Sequence, residues 1–313
     1  MKVAVTGGAG YIGSALINNL LAAGHEVSSI DDLSTGDYEY IRRLSLNKVK
    51  LVEGDIRDPS ALDKIFKEAD AVAHLAAIAG LVRCNDDPER AISVNIYGTH
   101  RVLEAAKKMG VNRVVFCSSA AVYGVPVKIP VSENHRLRPL NLYGVTKLTG
   151  EKQMEVAFDN DDVETVSLRF GNVYGVGLYS HWETVIPKFI KLGLEGKPLT
   201  IYGDGTSSRD FVHVEDITQA LLLALTVKSA EGEAFNVGSE PTTIGNIAQI
   251  VSEEIEEATG KRIETKHLPL RPGETKEFSY NLSKIKKGLG FNPTWTVRNG
   301  VKQLINFGLK TTH

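Results

Sequence analysis

The chain predicts an α/β fold, a doubly wound parallel sheet with a smaller C-terminal lobe. Short apolar runs alternate with helical patterns through the first half, a glycine cluster sits between the first run and the first helix, and the alternation breaks past about Gly171. Val3 to Val5 reads as the first strand, followed by a helix from about Tyr11. Val27 to Ile30 leads into a polar loop, and Val49 to Val52 precedes a helix after Pro59. Ala71 to Leu75 then leads to a helix from about Pro88 to Met109, Arg113 to Cys117 to a helix after Asn141, and Thr165 to Leu168 closes the series. Near-continuous apolar strands, each followed by a helix, belong to a parallel sheet covered on both faces. Past Gly171 the stretch "KFIKLGLEGKPLTIYGDGTSSRDFVHVED" mixes turns with short strands, and a helix near Ile244 to Thr259 precedes "PLRPGE". Asp216 with Gln219 forms a capping-box pattern opening the helix "ITQALLLAL", so part of this region is expected back in the main domain.

The bulk numbers exclude several classes. A chain of 313 residues suits one large domain with a smaller lobe. The formal net charge is -2 and no basic block or stripe occurs, so neither nucleic acid nor an anionic membrane is an expected partner. Two cysteines, Cys84 and Cys117, make no disulfide framework or metal pair; eight scattered histidines show no metal spacing. The expectation is a cytoplasmic protein without a metal. The longest apolar stretch, around Ala71 to Val82, falls short of the roughly 20 residues of a membrane helix. Glycines interrupt any N-terminal apolar region, so no signal peptide is expected.

The stretch "TGGAGYIG" carries the first chemical signal. Of Gly7, Gly10 and Gly13, one permits the tight strand-to-helix turn, one admits a pyrophosphate to the backbone N–H groups, and one allows close helix-on-strand packing. Tyr11 and Ile12 belong to the same turn. Asp31 ends the next strand 21 residues past Gly10, where a carboxylate accepts both ribose hydroxyls and favours NAD over a 2′-phosphorylated cofactor. Asp31 and Asp32 also read as a plain turn or helix cap. Asp55 and Ile56, in "EGDIRD", fall where an adenine edge would lie and equally fit an ordinary turn. The sheet is thus Rossmann-type: residues 1–170 are the expected NAD-binding domain, with returning segments at about 209–237, and residues 171–313 are mainly the substrate lobe.

The second signal is "NLYGVTK". Tyr143 and Lys147 stand four apart on one predicted helix and share a face. A tyrosine serving as a base near pH 7 needs its pKa lowered by roughly 3 units, about 4 kcal/mol, and a neighbouring ammonium and a positive nicotinamide both act in that direction. In "CSSAAVYG", 24 residues upstream of Tyr143, Ser119 follows a buried strand, where a hydroxyl can bond a substrate oxygen. Ser118 and Ser119 equally suit capping of the strand end, one serine to each task.

Together "TGGAGYIG", "GDI", "HLAA", "VNIYGT", "SSAAVYG", "YGVTK", "RFGNVYG", "SSRDFVHVED", "FNVGS" and "RPGE" resemble the extended short-chain dehydrogenase/reductase family, in particular its nucleotide-sugar epimerases and dehydratases, over nearly the whole chain. The resemblance implies that Tyr143 is the catalytic base, that Lys147 lowers its pKa and holds the nicotinamide ribose, and that Ser119 is the hydroxyl partner. It implies a cofactor groove of Leu75, Ala76 and Ala77 with Phe170 and Cys117 at the nicotinamide, Ser34, Thr35 and Gly36 beside Asp31 and Asp32, and Asn95 near the catalytic helix. Asn172, Arg209, Arg271 and Glu274 would hold the nucleoside diphosphate, and Phe278 would limit the sugar C2 substituent. Ala120 and Ala121 stand where the family's dehydratases carry an Asp–Glu pair, so elimination lacks its acid and base. The activity implied is C4 epimerisation interconverting UDP-galactose and UDP-glucose through a transient 4-keto sugar, with a homodimer possible. Cys117, Ile78–Ala79 and "GLYSHWETVIP" depart from the best-known epimerases, and "AAIAGLVR" resembles the family's UDP-glucuronate epimerases. A uronate or another UDP-hexose is therefore the alternative substrate. A non-enzymatic NAD-sensing regulator is the alternative of another class, although such proteins usually lose the Tyr–Lys pair that is intact here.

Overall fold

The computed structural model describes residues 1–38, 41–42, 49–177, 184–269 and 277–311. In chain order the strands are β1 (Lys2–Thr6), β2 (Glu26–Asp31), β3 (Val49–Glu53), β4 (Ala71–His74), β5 (Arg113–Ser119), β6 (Glu164–Phe170), β7 (Asn172–Tyr174), β8 (Leu199–Tyr202), β9 (Ser208–His213), β10 (Glu233–Val237), β11 (Pro241–Thr243) and β12 (Thr265–Leu268). The main sheet has the order β10-β6-β5-β4-β1-β2-β3 and every pairing in it is parallel. Strand order reverses between β1 and β4, so the carboxyl ends of the strands open a crevice there, the place where such sheets take ligands.

Alternation along β1 splits the core. Val3 and Val5 face helices Tyr11–Ala22 and Val214–Thr226 through Leu16, Ile17, Ile217 and Leu221. Ala4 faces the other side, with Leu62, Phe66, Val102 and Met154. A third cluster, including Phe189, Ile201, Ile247, Val251 and Leu304, belongs to the C-terminal helices and the small sheets β11-β9-β7 and β12-β8. Among the described residues no helix is long and apolar enough to cross a membrane.

Two sequence expectations change. The helix expected from Pro88 to Met109 is α-helical over Pro88–Ile92, π-helical over Ser93–Gly98 and α-helical again over Thr99–Met109. Asp216 is no cap: the helix begins at Val214 with His213 as its N-cap, and the Nδ1 of His213 accepts from the Glu215 N–H at 3.2 Å. The Asp216 carboxylate instead accepts the backbone N–H groups of Thr294 and Trp295 at 2.8 and 3.2 Å, partners 78 and 79 residues away. A distant segment with two unpaired amides outbids a local cap.

Candidate active site

A cleft runs across the carboxyl ends of β1, β4, β5 and β6. Gly7, Gly10, Tyr11, Ile12, Gly13, Thr35, Leu75, Ala76, Ala77, Ala79, Arg83, Cys117, Ser118, Tyr143, Lys147 and Phe170 line it. An adjoining hollow is lined by Asp31, Asp32, Ser34, Thr35, Asp55, Ile56, Ala76, Ala77, Ile78 and Val94. Gly7 has φ of +75°, and a Cβ on it would meet the Ala76 backbone nitrogen at 2.7 Å. A Cβ on Gly13 would lie 2.1 Å from the Gly7 carbonyl oxygen, so the first helix seats directly on the turn. That helix starts at Tyr11 behind Gly10 without any side-chain cap, so no side chain claims its first N–H groups. Gly36, which lines neither hollow, packs so closely that a Cβ would sit 2.0 Å from the Ala9 carbonyl oxygen.

Each oxygen of Asp31 accepts one backbone N–H, from Ala9 at 3.0 Å and Leu33 at 2.9 Å, and burial pushes its carboxyl above the ordinary value. One lone pair per oxygen is left for a ribose. Asp32 caps Ser34 and meets Arg90 at 3.1 Å. Arg57 grips Asp55, with Nε at 2.9 Å from Oδ1, and holds that carboxyl below its ordinary value. These residues and this helix start suit an adenine dinucleotide diphosphate.

His74, the last residue of β4, is buried. Because the Thr99 hydroxyl donates to the Asn95 carbonyl at 2.7 Å, its oxygen accepts from His74 Nε2 at 3.0 Å, which leaves Nδ1 to accept from Thr6 at 2.8 Å. Burial drives the imidazole pKa down to about 3, and it stays neutral. Asn95 does not line the cleft. Its amide is spent on the backbone N–H and C=O of Ile78, at 2.7 and 3.0 Å, and on Thr146 at 3.0 Å, tying the groove wall to helix Leu142–Asn160.

Tyr143 and Lys147 lie on helix Leu142–Asn160, which Asn141 caps through the Gly144 N–H at 2.9 Å. Lys147 Nζ donates to the Cys117 carbonyl at 2.7 Å and lies 4.9 Å from the Phe116 ring centre and 5.9 Å from that of Tyr143. Burial lowers its pKa to about 8. The sequence leads one to expect a lowered Tyr143; instead burial pushes it up to about 12, against a hydrogen bond with Ser119 that pulls it down. Desolvation outweighs what the chain's own groups supply. Ser119 Oγ accepts the Ala121 N–H at 3.2 Å and so caps the turn, while Ser118 turns inward to donate to Glu151.

A separate hollow in the C-terminal lobe brings Asn172 and Arg209 together with Tyr174, Lys188, Thr200, Tyr202, Ser207 and Phe211. Asn172 Nδ2 donates to the Asp210 carbonyl at 3.4 Å. Phe278 belongs to neither place: it is buried in an aromatic cluster with Val122, Tyr123, Val131 and Tyr280, its ring 5.1 Å from that of Tyr280. Packing against rings, rather than facing a sugar, fixes it. Arg271 and Glu274 lie outside the described residues. Arg83 was missed by sequence reading; it stands on a short helix after Gly80, and only the fold shows that it reaches the cleft.

Residues 3–238 match the NAD dependent epimerase/dehydratase family. The chain belongs to this family. Its cofactor is NAD, and the curated relatives are epimerases. A putative UDP-glucose 4-epimerase of Methanocaldococcus jannaschii is 34% identical over 309 residues, covering 97% of each chain. Among solved structures, the UDP-N-acetylglucosamine 4-epimerase of Methanobrevibacter ruminantium, in complex with UDP-N-acetylmuramic acid, superposes with a TM-score of 0.91 at 30% identity over 99% of this chain and 98% of that one. The UDP-glucuronic acid 4-epimerase of Bacillus cereus, in complex with UDP-glucuronic acid and NAD, gives 0.89 at 33% identity over the whole of both. The family is therefore fixed at the level of UDP-sugar epimerases, while its members named here act on different sugars.

Proposed function

We propose that the chain interconverts UDP-galactose and UDP-glucose by epimerisation at C4. The observation that carries this is Tyr143 and Lys147 together in the cleft that the glycine turn opens, four residues apart on one helix, with Ser119 close enough to the phenol to pull its pKa down. NAD, when bound, supplies the hydride acceptor and returns the same hydride. Tyr143 takes the proton of the sugar O4 hydroxyl and gives it back, and Ser119 holds O4 in reach. Lys147, fixed by the Cys117 carbonyl, presents its charge behind the tyrosine and favours the phenolate. Ala120 and Ala121 offer neither acid nor base, so the 4-keto sugar has no route to lose water. Asn172 and Arg209 suit the nucleoside diphosphate; Arg supplies the fixed charge that a diphosphate needs.

Purified protein with UDP-galactose and no added cofactor should form UDP-glucose, and Tyr143→Phe should lower kcat at least about 1,000-fold. A Tyr143→Phe enzyme that keeps its rate would refute the assignment of the base, and release of water would refute epimerisation.

Arg83 favours a second reading, a UDP-glucuronate epimerase. Arg83 lines the same cleft as Tyr143 and Phe170 and makes no ion pair among the described residues, which suits a carboxylate at the sugar C6. A higher kcat/KM for UDP-glucuronate than for UDP-galactose, lost at least tenfold in Arg83→Ala, decides for the uronate.

We also infer a homodimer formed through helices Pro88–Met109 and Leu142–Asn160, whose outer faces leave Ile92, Tyr97, Val145 and Val156 exposed. A reducing, cytoplasmic setting fits two cysteines that are both free and buried. Light scattering on Val145→Asp, which should be monomeric if the wild type is a dimer, checks the interface.

A further inference from the structure

Behind the catalytic serine lies a buried ion pair that the proposed chemistry does not use. Glu151 follows Lys147 by one helical turn, on the same face of helix Leu142–Asn160. Its carboxylate accepts from Arg169, with Nε to Oε1 at 2.9 Å and Nη2 to Oε2 at 2.7 Å, and from the Ser118 hydroxyl. The side chains are 2% and 4% exposed, so water screens neither. Arg169 Nη1 donates further to Tyr123 at 2.8 Å and to the Glu133 carbonyl at 3.0 Å, and Tyr123 donates to Asn236 at 2.7 Å. Desolvating two charges makes such a pair a poor source of stability, since apolar residues of similar volume often serve as well or better.

Its position points to a different use. Ser118 pairs with Arg169 across β5 and β6, and Ser119 pairs with Phe170. One carboxylate therefore ties together the residue before Ser119, the residue before Phe170 and the helix turn after Lys147. We propose that Glu151 is a positioning residue for the reaction, which fixes the strand end carrying Ser119 and keeps the proton on Lys147, with Arg169 holding its charge in place.

The groups around Lys147 can be named. On its own helix are Tyr143 and Glu151; from β5 come the Cys117 thiol and carbonyl and the Phe116 ring. Cys84 faces it from the short helix Leu81–Asp86, and neutral His74 from β4. Burial lowers the lysine, and Glu151 acts against that, while the two thiols are themselves held protonated by burial. Glu151 is the fixed anion in this set.

The inference rests on the reading of Tyr143 and Lys147 given above, and the test separates the two. The pH dependence of kcat is measured for the wild type, Glu151→Gln and Arg169→Met, each with bound NAD and melting temperature recorded. Glu151→Gln removes an anion, so the alkaline limb should move to lower pH by about one unit. Arg169→Met removes the cation that holds the Glu151 charge in place, so its limb should move to lower pH as well. A purely structural pair would lower kcat equally at all pH values. Limbs that stay put, or move to higher pH, in folded NAD-bearing protein overturn the proposal. Should a single variant fail to fold, the doubly neutral Glu151→Gln/Arg169→Gln still loses the anion nearer to Lys147, and its limb should move to lower pH; an unmoved limb overturns the proposal there too. A wild type that turns over no UDP-sugar defeats the epimerase reading instead.

Discussion

The two clefts are built from different material. The cleft at the sheet's carboxyl ends takes much of its wall from backbone and small residues, a glycine turn, a bare helix start, and Leu75, Ala76 and Ala77 just past one strand, with Tyr143, Lys147 and Phe170 among its larger side chains. The hollow of the C-terminal lobe is made of long side chains, Lys188, Tyr202, Arg209 and Phe211, carried by a helix and two short strands that follow one another in sequence. A wall of main chain has no side chain to trade away, so its positions tolerate almost nothing. A wall of side chains can be retuned, which matches relatives that share this frame and differ in the sugar they are named for.

Substitution should expose that contrast, and the largest effect is expected at Gly13. Gly13→Val drives a side chain into the Gly7 carbonyl, which a Cβ alone would approach to 2.1 Å. The expected result is protein that carries no NAD and melts well below the wild type, read by absorbance of released cofactor and a thermal scan. Arg209→Ala works on the other cleft and should raise KM for the UDP-sugar by about 10- to 100-fold, roughly 1.4 to 3 kcal/mol, with the NAD content unchanged. Loss of NAD along with substrate affinity would show that the two clefts are not separable.

A smaller effect concerns pH. His74 is a base whose folded pKa, about 3, lies below its unfolded value of about 6.5, so its contribution is full above pH 6.5 and is lost as pH falls from 6.5 towards 3. At pH 5.5 the loss amounts to about 1.4 kcal/mol. Asp210 behaves oppositely. Burial raises its carboxyl to about 6, so the fold gains stability from it as pH drops from about 6 towards 3.8. Urea midpoints of the wild type and His74→Asn at pH 7 and pH 5.5 isolate the histidine: the variant starts lower and should show the smaller drop.

What could be read from the sequence follows the same division. Gly7, Gly13 and Asp31 were legible because a dinucleotide turn constrains backbone shape, and shape leaves its mark on residue type. Tyr143 and Lys147 were legible because helical spacing puts them on one face. The pKa of Tyr143 was not, since the burial that raises it depends on how strands and helices close around it. Arg83, Phe278 and Asp216 depend on tertiary neighbours that no local pattern announces. The partnership of Glu151 with Arg169 spans 18 residues and two elements, and only strand register brings the pair together.

The π-helical stretch Ser93–Gly98 has a consequence for chain length. A wide turn of this kind holds one more residue than an α-helical turn. Deleting that residue would rotate everything beyond it by about 100°, carrying either Asn95 away from Ile78 and Thr146 or Thr99 away from His74. Insertions and deletions are absorbed readily by surface connections, but here the residue count itself is under constraint, because Asn95 within the wide turn and Thr99 just beyond it must both keep their contacts.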